Sequence, residues 1–237
     1  MHLRAGAGAV ALHAAARYGF AAVVRELLSA GAEPSPRDAN SWTPLQTAVS
    51  QCDEPIVRLL LEARAKVEVA DRNGYRPLHQ AARAAAAQIL RELLAAGADA
   101  AAITTDGQTA LHIAITSLGS LDQRAPCVTA LLEGGAPLDL ADNATDRPIH
   151  LAARTGQLEL IRSLLAAGCN PGPVDGAGNT PLHLCANQML TAGIDALLCS
   201  GADPDAQQSL GEYNTVSSRS HRCRCLAFGV PLCIRCS

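Results

Sequence analysis

Apolar residues recur in this chain with the period of an α-helix, in short segments separated by polar, glycine-rich turns. In the clearest segment, Leu158, Ile161 and Leu165 fall at i, i+3 and i+7, with two more leucines beside them. This spacing places the apolar side chains on one face and predicts an amphipathic helix. Gly168 follows directly, and a glycine at this position commonly ends a helix. The chain is therefore expected to consist of short helices.

Two apolar markers repeat along the chain in step with each other. The first is a Leu or Ile, usually flanked by Pro and His, and it stands at positions 12, 45, 78, 111, 149 and 182. The second is a Leu-Leu pair that begins at 27, 60, 93, 131, 164 and 197. Successive copies of both markers are separated by 33, 33, 33, 38 and 33 residues. A fixed period of this size predicts a stacked array of repeated helix pairs.

The fullest copy of the motif is Thr180-Pro181-Leu182-His183-Leu184-Cys185-Ala186. Its signature and its period resemble those of ankyrin repeats. The resemblance covers roughly residues 5–207 and implies an all-α fold with β-hairpin-like turns, a curved solenoid of helix-turn-helix units. It also implies a scaffold that binds partner proteins. The six predicted units are 5–37, 38–70, 71–103, 104–141, 142–174 and 175–207.

Two units depart from the pattern. In the unit 38–70, Gln46 replaces the histidine, Ser41 replaces the turn glycine, and Arg64 replaces the glycine that ends the second helix. Each change removes a small stabilising feature, so we expect this unit to be the softest in the interior. The unit 104–141 has five extra residues around Ser117–Pro126. We expect them to form a surface loop between the two helices.

The histidines indicate structure rather than catalysis. Five of them occupy the same slot of successive repeats: His13, His79, His112, His150 and His183. Equivalent slots in packed helix layers lie roughly 10 Å apart, which is too far for ligands of one zinc ion. The family resemblance implies that each imidazole bonds to the motif threonine and to neighbouring backbone. Arg76 and Arg147 replace that threonine in two repeats, which puts the bond in question there.

Composition narrows the function class further. No arrangement of nucleophile, base and orienting group is visible, and no phosphate-binding glycine loop, so we expect neither an enzyme nor a cofactor or metal. The net charge of −3 argues against a general nucleic-acid binder. No apolar run is long enough for a membrane span, and no basic segment followed by an apolar one opens the chain, so we expect neither a membrane span nor a signal peptide. We expect a monomer in the cytosol or nucleus, whose first repeat either caps the array or continues a longer one.

Nine cysteines fall into two groups. Five lie singly inside repeats, and we expect them to be reduced, buried and apolar in character: Cys52, Cys127, Cys169, Cys185 and Cys199. The other four crowd the segment 208–237, which we expect to be a disordered tail: Cys223, Cys225, Cys233 and Cys236. Only half of their spacing is typical of zinc sites, and acylation of a basic cysteine-rich tail is a further alternative.

The partner-binding surface follows from the resemblance. Ankyrin repeats usually contact partners with their hairpin tips and the exposed side of their first helices. We predict a site centred on Trp42, Tyr75, Arg72 and Arg83, because Trp, Tyr and Arg are enriched in binding hot spots. The alternative is that both aromatic rings pack against the next hairpin. The remaining predicted contacts are Asn40, Asn73, Asp106, Gln108, Asp146 and Arg154.

A more specific function is also open. Several ankyrin families are substrate receptors of ubiquitin ligases and carry a short helical adaptor-binding box after the repeats. The insertion and the tail are compatible with a truncated or alternative form of such a receptor, although the tail lacks the leucine-rich helical pattern of that box.

Overall fold

The structure is a computed structural model that describes the backbone of residues 5–117 and 119–206 and the side chains from Val10 onward in those ranges. These residues form twelve α-helices and no strands. The first helices of the six repeats are α1 (Ala5–Arg17), α3 (Pro44–Ser50), α5 (Pro77–Arg83), α7 (Ala110–Thr116), α9 (Pro148–Arg154) and α11 (Pro181–Asn187). The second helices are α2 (Ala21–Ser29), α4 (Glu54–Glu62), α6 (Ala87–Ala95), α8 (Leu121–Glu133), α10 (Leu158–Ala166) and α12 (Thr191–Cys199).

The repeated motif starts each first helix. In α3, Pro44 occupies the first helical turn, where its missing N–H would have had no partner and its fixed φ suits the helix. The Thr43 hydroxyl accepts a hydrogen bond from the Gln46 backbone N–H, while the Gln46 side chain accepts one from the Thr43 N–H. This reciprocal capping box satisfies donors that a helix end leaves open.

The motif leucine or isoleucine lies at the centre of the first five layers and is partly buried in the sixth. Leu45, Leu78 and Leu111 are fully or almost fully buried, and each first helix packs against the first helix of the next repeat. The second helices form a parallel row behind them. A single helix pair of this size has no apolar core of its own, so stacking on its neighbours stabilises each repeat. The sequence prediction of an all-α solenoid of helix-turn-helix units is confirmed.

Short hairpin-like turns connect the repeats and touch one another. In the third repeat, the Asp71 N–H donates to the Tyr75 carbonyl at 2.9 Å, and Gly74 has a φ of +76°. A Cβ atom on Gly74 would lie 2.8 Å from the Thr105 nitrogen of the next tip. Both the left-handed backbone and the close approach therefore require glycine there. Ser41 adopts the same left-handed conformation with a side chain, as the sequence indicated.

The histidine slot links neighbouring repeats, and Gln46 continues the link. His112 Nε2 lies 3.2 Å from the Asp146 carbonyl of the next repeat, and Gln46 Nε2 donates to the Tyr75 carbonyl at 3.1 Å. The expectation that Gln46 removes a stabilising feature is therefore wrong, because its amide carries both an acceptor and a donor. The arginine that replaces the motif threonine does not break the cap either, because the Arg76 backbone N–H still donates to His79 Nδ1.

The five-residue insertion is not the surface loop that was expected. The connection between α7 and α8 is short, and α8 spans 13 residues where the second helices of the other repeats span 9. Ser120 and Gln123 form a capping box that starts α8 early, and Pro126 is accommodated inside the helix. The extra residues therefore lengthen a helix rather than a loop.

The cysteine prediction holds for three of the five repeat residues, the buried thiols Cys127, Cys169 and Cys185. It is wrong for Cys52 and Cys199, which are exposed. Cys52 lies in a left-handed turn after α3, with a φ of 56°, and Cys199 ends α12. The predicted tail 208–237, with its zinc, acylation and ligase-box alternatives, lies outside the residues that the structure describes.

Candidate protein-binding surface

Tyr75, Arg83 and Gln108 meet in a groove between the third and fourth repeats. Tyr75 follows the hairpin tip, and Arg83 ends α5 eight residues later. The Arg83 guanidinium carbon lies 5.4 Å from the centre of the Tyr75 ring, which is within the range of a cation–π contact. Together with Ile113, Thr116 and Ser117 they line a shallow cavity of about 250 Å³. The structure therefore brings three of the predicted contact residues into one recess.

Tyr75 is only partly available to a partner. Its ring is half-buried, packs against the core and lies edge-on to His79, with ring centres 6.0 Å apart. Arg83 is exposed above it. The surface thus presents the partly exposed Tyr75 ring with the Arg83 guanidinium over it. A partner here would meet both an apolar surface and a positive charge.

The tips of the second and third repeats are joined through Arg72. Its guanidinium donates a hydrogen bond to the Ala39 carbonyl one repeat earlier, next to Asn40. Asn40, Arg72 and Asn73 are all exposed. The Asn73 carbonyl accepts hydrogen bonds from the backbone and the hydroxyl of Thr105. These contacts hold the tips in a row, and their outward side chains remain accessible.

Trp42 occupies the slot of Tyr75 one repeat earlier and is half-buried. Its backbone N–H donates to Asp38 Oδ1 at 2.8 Å, and its carbonyl lies 2.9 Å from His13 Nε2. The backbone of this residue is therefore fixed by both neighbouring elements. Asp106, at the tip of the fourth repeat, is exposed, and its carbonyl accepts from the Asn143 N–H.

Asp146 and Arg154 form an ion pair with each other. The Arg154 guanidinium binds the Asp146 carboxylate with two hydrogen bonds of 2.7 and 2.8 Å, and it also reaches Asp175 at 3.2 Å. Asp146 is only 6 % exposed, whereas the Arg154 side chain is 46 % exposed. Hydrogen bonding to Asp146 raises the pKa of Arg154 above its ordinary value. A partner would meet Arg154 here, with Asp146 behind it.

The buried histidines and cysteines are held in their uncharged forms. Burial lowers the pKa of the inner histidines, which are His79, His112 and His150. Burial likewise raises the pKa of Cys127 and Cys185 to about 11 and that of Cys169, beside Asp139, to about 12. These imidazoles are therefore neutral and the thiols protonated near pH 7. Among the described residues, no three His, Cys, Asp or Glu side chains cluster so that they could hold a metal ion.

Ile113 also lines the groove and was not among the predicted contacts. Thr116 and Ser117 stand one repeat after Arg83 and Ala84, at the first-helix positions that the family resemblance implies for partner contact. Ser117 lies at the start of the insertion, where Gly119 comes close to Ala85 of the preceding repeat. The insertion therefore contributes to one wall of the groove, and only the structure reveals this contact.

Comparison with known proteins agrees with this architecture. A family model described as ankyrin repeats (3 copies) matches residues 2–71 and 120–208, and one described as ankyrin repeats (many copies) matches residues 55–114. An ankyrin repeat domain from Acinetobacter baumannii AYE is 26 % identical, with a TM-score of 0.76, over 81 % of this chain and 98 % of that one. The ankyrin repeat domain of Bcl-3, described as a member of the IkappaB protein family, is 30 % identical, with a TM-score of 0.75, over 84 % of this chain and 89 % of that one. A search of curated proteins found no match.

Ankyrin repeats are generally protein–protein interaction modules, and the family is typically non-catalytic. In the described part of this chain, no helix is both long and apolar enough to cross a membrane. The six stacked helix pairs, the repeated capping motif and the two family matches lead to one conclusion: the chain belongs to the ankyrin repeat family.

Proposed function

We propose that this chain is a non-catalytic scaffold that holds a partner protein on its hairpin tips and first helices. The centre of the proposed site is Trp42, Tyr75, Arg72 and Arg83, and the partner extends toward Gln108 and Arg154. We further propose that the protein acts as a monomer, in the cytosol or nucleus, and without nucleic acid.

The observation that supports this proposal best is the contact between Tyr75 and Arg83. Both side chains line an open groove of about 250 Å³, and the charged one is exposed. A flat aromatic ring provides contact area with little loss of rotational freedom, and arginine adds directional hydrogen bonds. Such pairs are enriched where alanine substitution weakens protein binding most.

The experiment is partner capture with matched variants. The purified chain and its Trp42→Ala, Tyr75→Ala and Arg83→Ala variants are immobilised, exposed to cell extract, and the retained proteins are identified by mass spectrometry. Arg162→Ala is the matched control for Arg83→Ala, because Arg162 is an exposed arginine on the second-helix row. Circular dichroism first establishes that each variant keeps its helicity.

The expected result is a set of proteins that the wild type and Arg162→Ala retain and that the three site variants lose. A central hot-spot residue typically contributes about 2 kcal/mol or more, which corresponds to a roughly thirtyfold loss of affinity. If the folded site variants retain the same proteins as the wild type, this surface is not the binding site.

A further inference from the structure

Two equivalent arginines of this chain have opposite surroundings. Arg83 and Arg154 both end a first helix, five residues after the motif Leu78 or Ile149. Arg154 is held between the carboxylates of Asp146 and Asp175. Arg83 forms no ion pair with any residue that the structure describes.

The reason lies in two substitutions. Tyr75 stands eight residues before Arg83, as Asp146 stands eight residues before Arg154. Thr104 stands 21 residues after Arg83, as Asp175 does after Arg154. The two positions whose carboxylates neutralise Arg154 are therefore occupied by uncharged residues around Arg83.

The fifth repeat also shows what an arginine in this slot can bind. There the guanidinium holds one carboxylate through two parallel hydrogen bonds of 2.7 and 2.8 Å. Paired hydrogen bonds of this kind between arginine and a carboxylate are both strong and directional. In the third repeat the same group lies over the Tyr75 ring, beside Gln108 and an open recess.

We propose that Arg83 binds a carboxylate of the partner protein, so that the partner segment in this groove carries an acidic side chain. This inference rests on the proposed function and specifies the chemistry of the partner. The incoming carboxylate takes the place that Asp146 and Asp175 occupy around Arg154. The Tyr75 ring and Ile113 provide the apolar contact beside it, so the acidic residue is accompanied by an apolar one.

The test selects binders of the full chain from a library of random linear peptides displayed on phage. Selected peptides are synthesised with their acidic residue and with the matching Glu→Gln or Asp→Asn change. Both forms are titrated against the wild type and the Arg83→Gln variant. We expect the amide peptide to bind roughly tenfold to a hundredfold more weakly to the wild type, because hydrogen bonds between charged groups contribute that much. Arg83→Gln should bind both peptides about equally.

Two variants at position 75 separate charge from shape. Tyr75→Asp copies Asp146, retains Arg83 and supplies an internal carboxylate, so the preference for the acidic peptide should disappear. Tyr75→Asn copies the residue found at Asn179 in the sixth repeat and should retain the preference. Circular dichroism confirms that both variants are folded.

The outcomes distinguish the two proposals. If binders depend on Trp42 or Tyr75 but show no acidic preference, or one that Arg83→Gln leaves unchanged, the carboxylate inference is wrong and the proposed site stands. If the library yields no binder, or only binders insensitive to both Trp42→Ala and Tyr75→Ala, the proposed site fails and the inference fails with it.

Discussion

Replacing Gln46 tests how the second and third repeats are held together. Gln46 is fully buried, accepts a hydrogen bond from the Thr43 N–H at 2.9 Å and donates one to the Tyr75 carbonyl at 3.1 Å. Gln46→Ala leaves the Thr43 N–H buried without this acceptor, which costs about 1–3 kcal/mol. The Tyr75 carbonyl still accepts a hydrogen bond from the Asp71 N–H, so the loss of the Gln46 donor adds little to this cost. Lost burial of the side-chain carbons adds about 1 kcal/mol, for a total of about 2–4 kcal/mol.

Gln46→His is the informative control. In the fourth repeat, His112 Nδ1 accepts from the Thr109 N–H, and Nε2 lies 3.2 Å from the carbonyl of Asp146, which holds the slot of Tyr75. An imidazole at position 46 therefore has two equivalent partners, the Thr43 N–H and the Tyr75 carbonyl. We expect its stability to lie within about 1 kcal/mol of the wild type. Urea unfolding followed by circular dichroism measures both variants, and midpoints are compared because repeat arrays need not unfold in two states. A Gln46→Ala midpoint equal to that of the wild type would refute the argument. So would a large gain from Gln46→His, because the glutamine would then be the defect that the sequence suggested.

Three further predictions concern stability and use the same unfolding assay. Arg154→Ala leaves two buried carboxylates without their cation and should lower the free energy of unfolding by about 1–3 kcal/mol, a figure already discounted for the half-exposed guanidinium. The control Arg162→Ala should lower it by less than about 0.5 kcal/mol. Equal losses in the two variants would contradict the ion-pair argument. Gln80→Leu should stabilise the chain by about 1–3 kcal/mol, because both polar atoms of this buried amide lack a hydrogen-bond partner among the residues that the structure describes. The buried Leu151 occupies the same slot in the fifth repeat. Destabilisation would show that the amide is satisfied. Burial lowers the folded-state pKa of the inner histidines, so the unfolded chain binds protons first as the pH falls below about 6.5. The free energy of unfolding should therefore be constant above pH ~7 and fall below pH ~6.5 by up to about 1.4 kcal/mol per pH unit for each histidine. An unfolding midpoint that does not change with pH would contradict this.

The repeat architecture was predictable because one short motif contains several local signals that agree. Proline at the first helical turn, a capping residue before it and an apolar leucine or isoleucine after it recur with the same period, and the apolar residue is buried in all but the sixth repeat. The insertion was misjudged because five extra residues between two helices fit a loop or a longer helix equally well by length. The capping box of Ser120 and Gln123 decides for the helix, and that signal is present in the sequence.

The binding surface was predictable only as a row of positions. Tyr75, Arg83 and Gln108 were named from the sequence, and the structure brings them together. An arginine in that row is neutralised only if the residues eight positions before it and 21 positions after it are acidic. These residues lie partly in the next repeat, so inspection of one repeat at a time does not show whether the arginine is neutralised.

Comparing equivalent positions across the repeats shows which charged side chains are already paired within the chain. Asp146 and Tyr75 hold the same position, yet one residue neutralises an arginine from within the chain and the other leaves it open. A scaffold whose layers differ only at such positions can keep its fold and still bind selectively, because the buried leucines, the histidine slot and backbone hydrogen bonds between the tips hold the layers together. Arg154 is therefore expected to support the stack, whereas Arg83, which forms no ion pair with any described residue, is the arginine that we propose binds a partner.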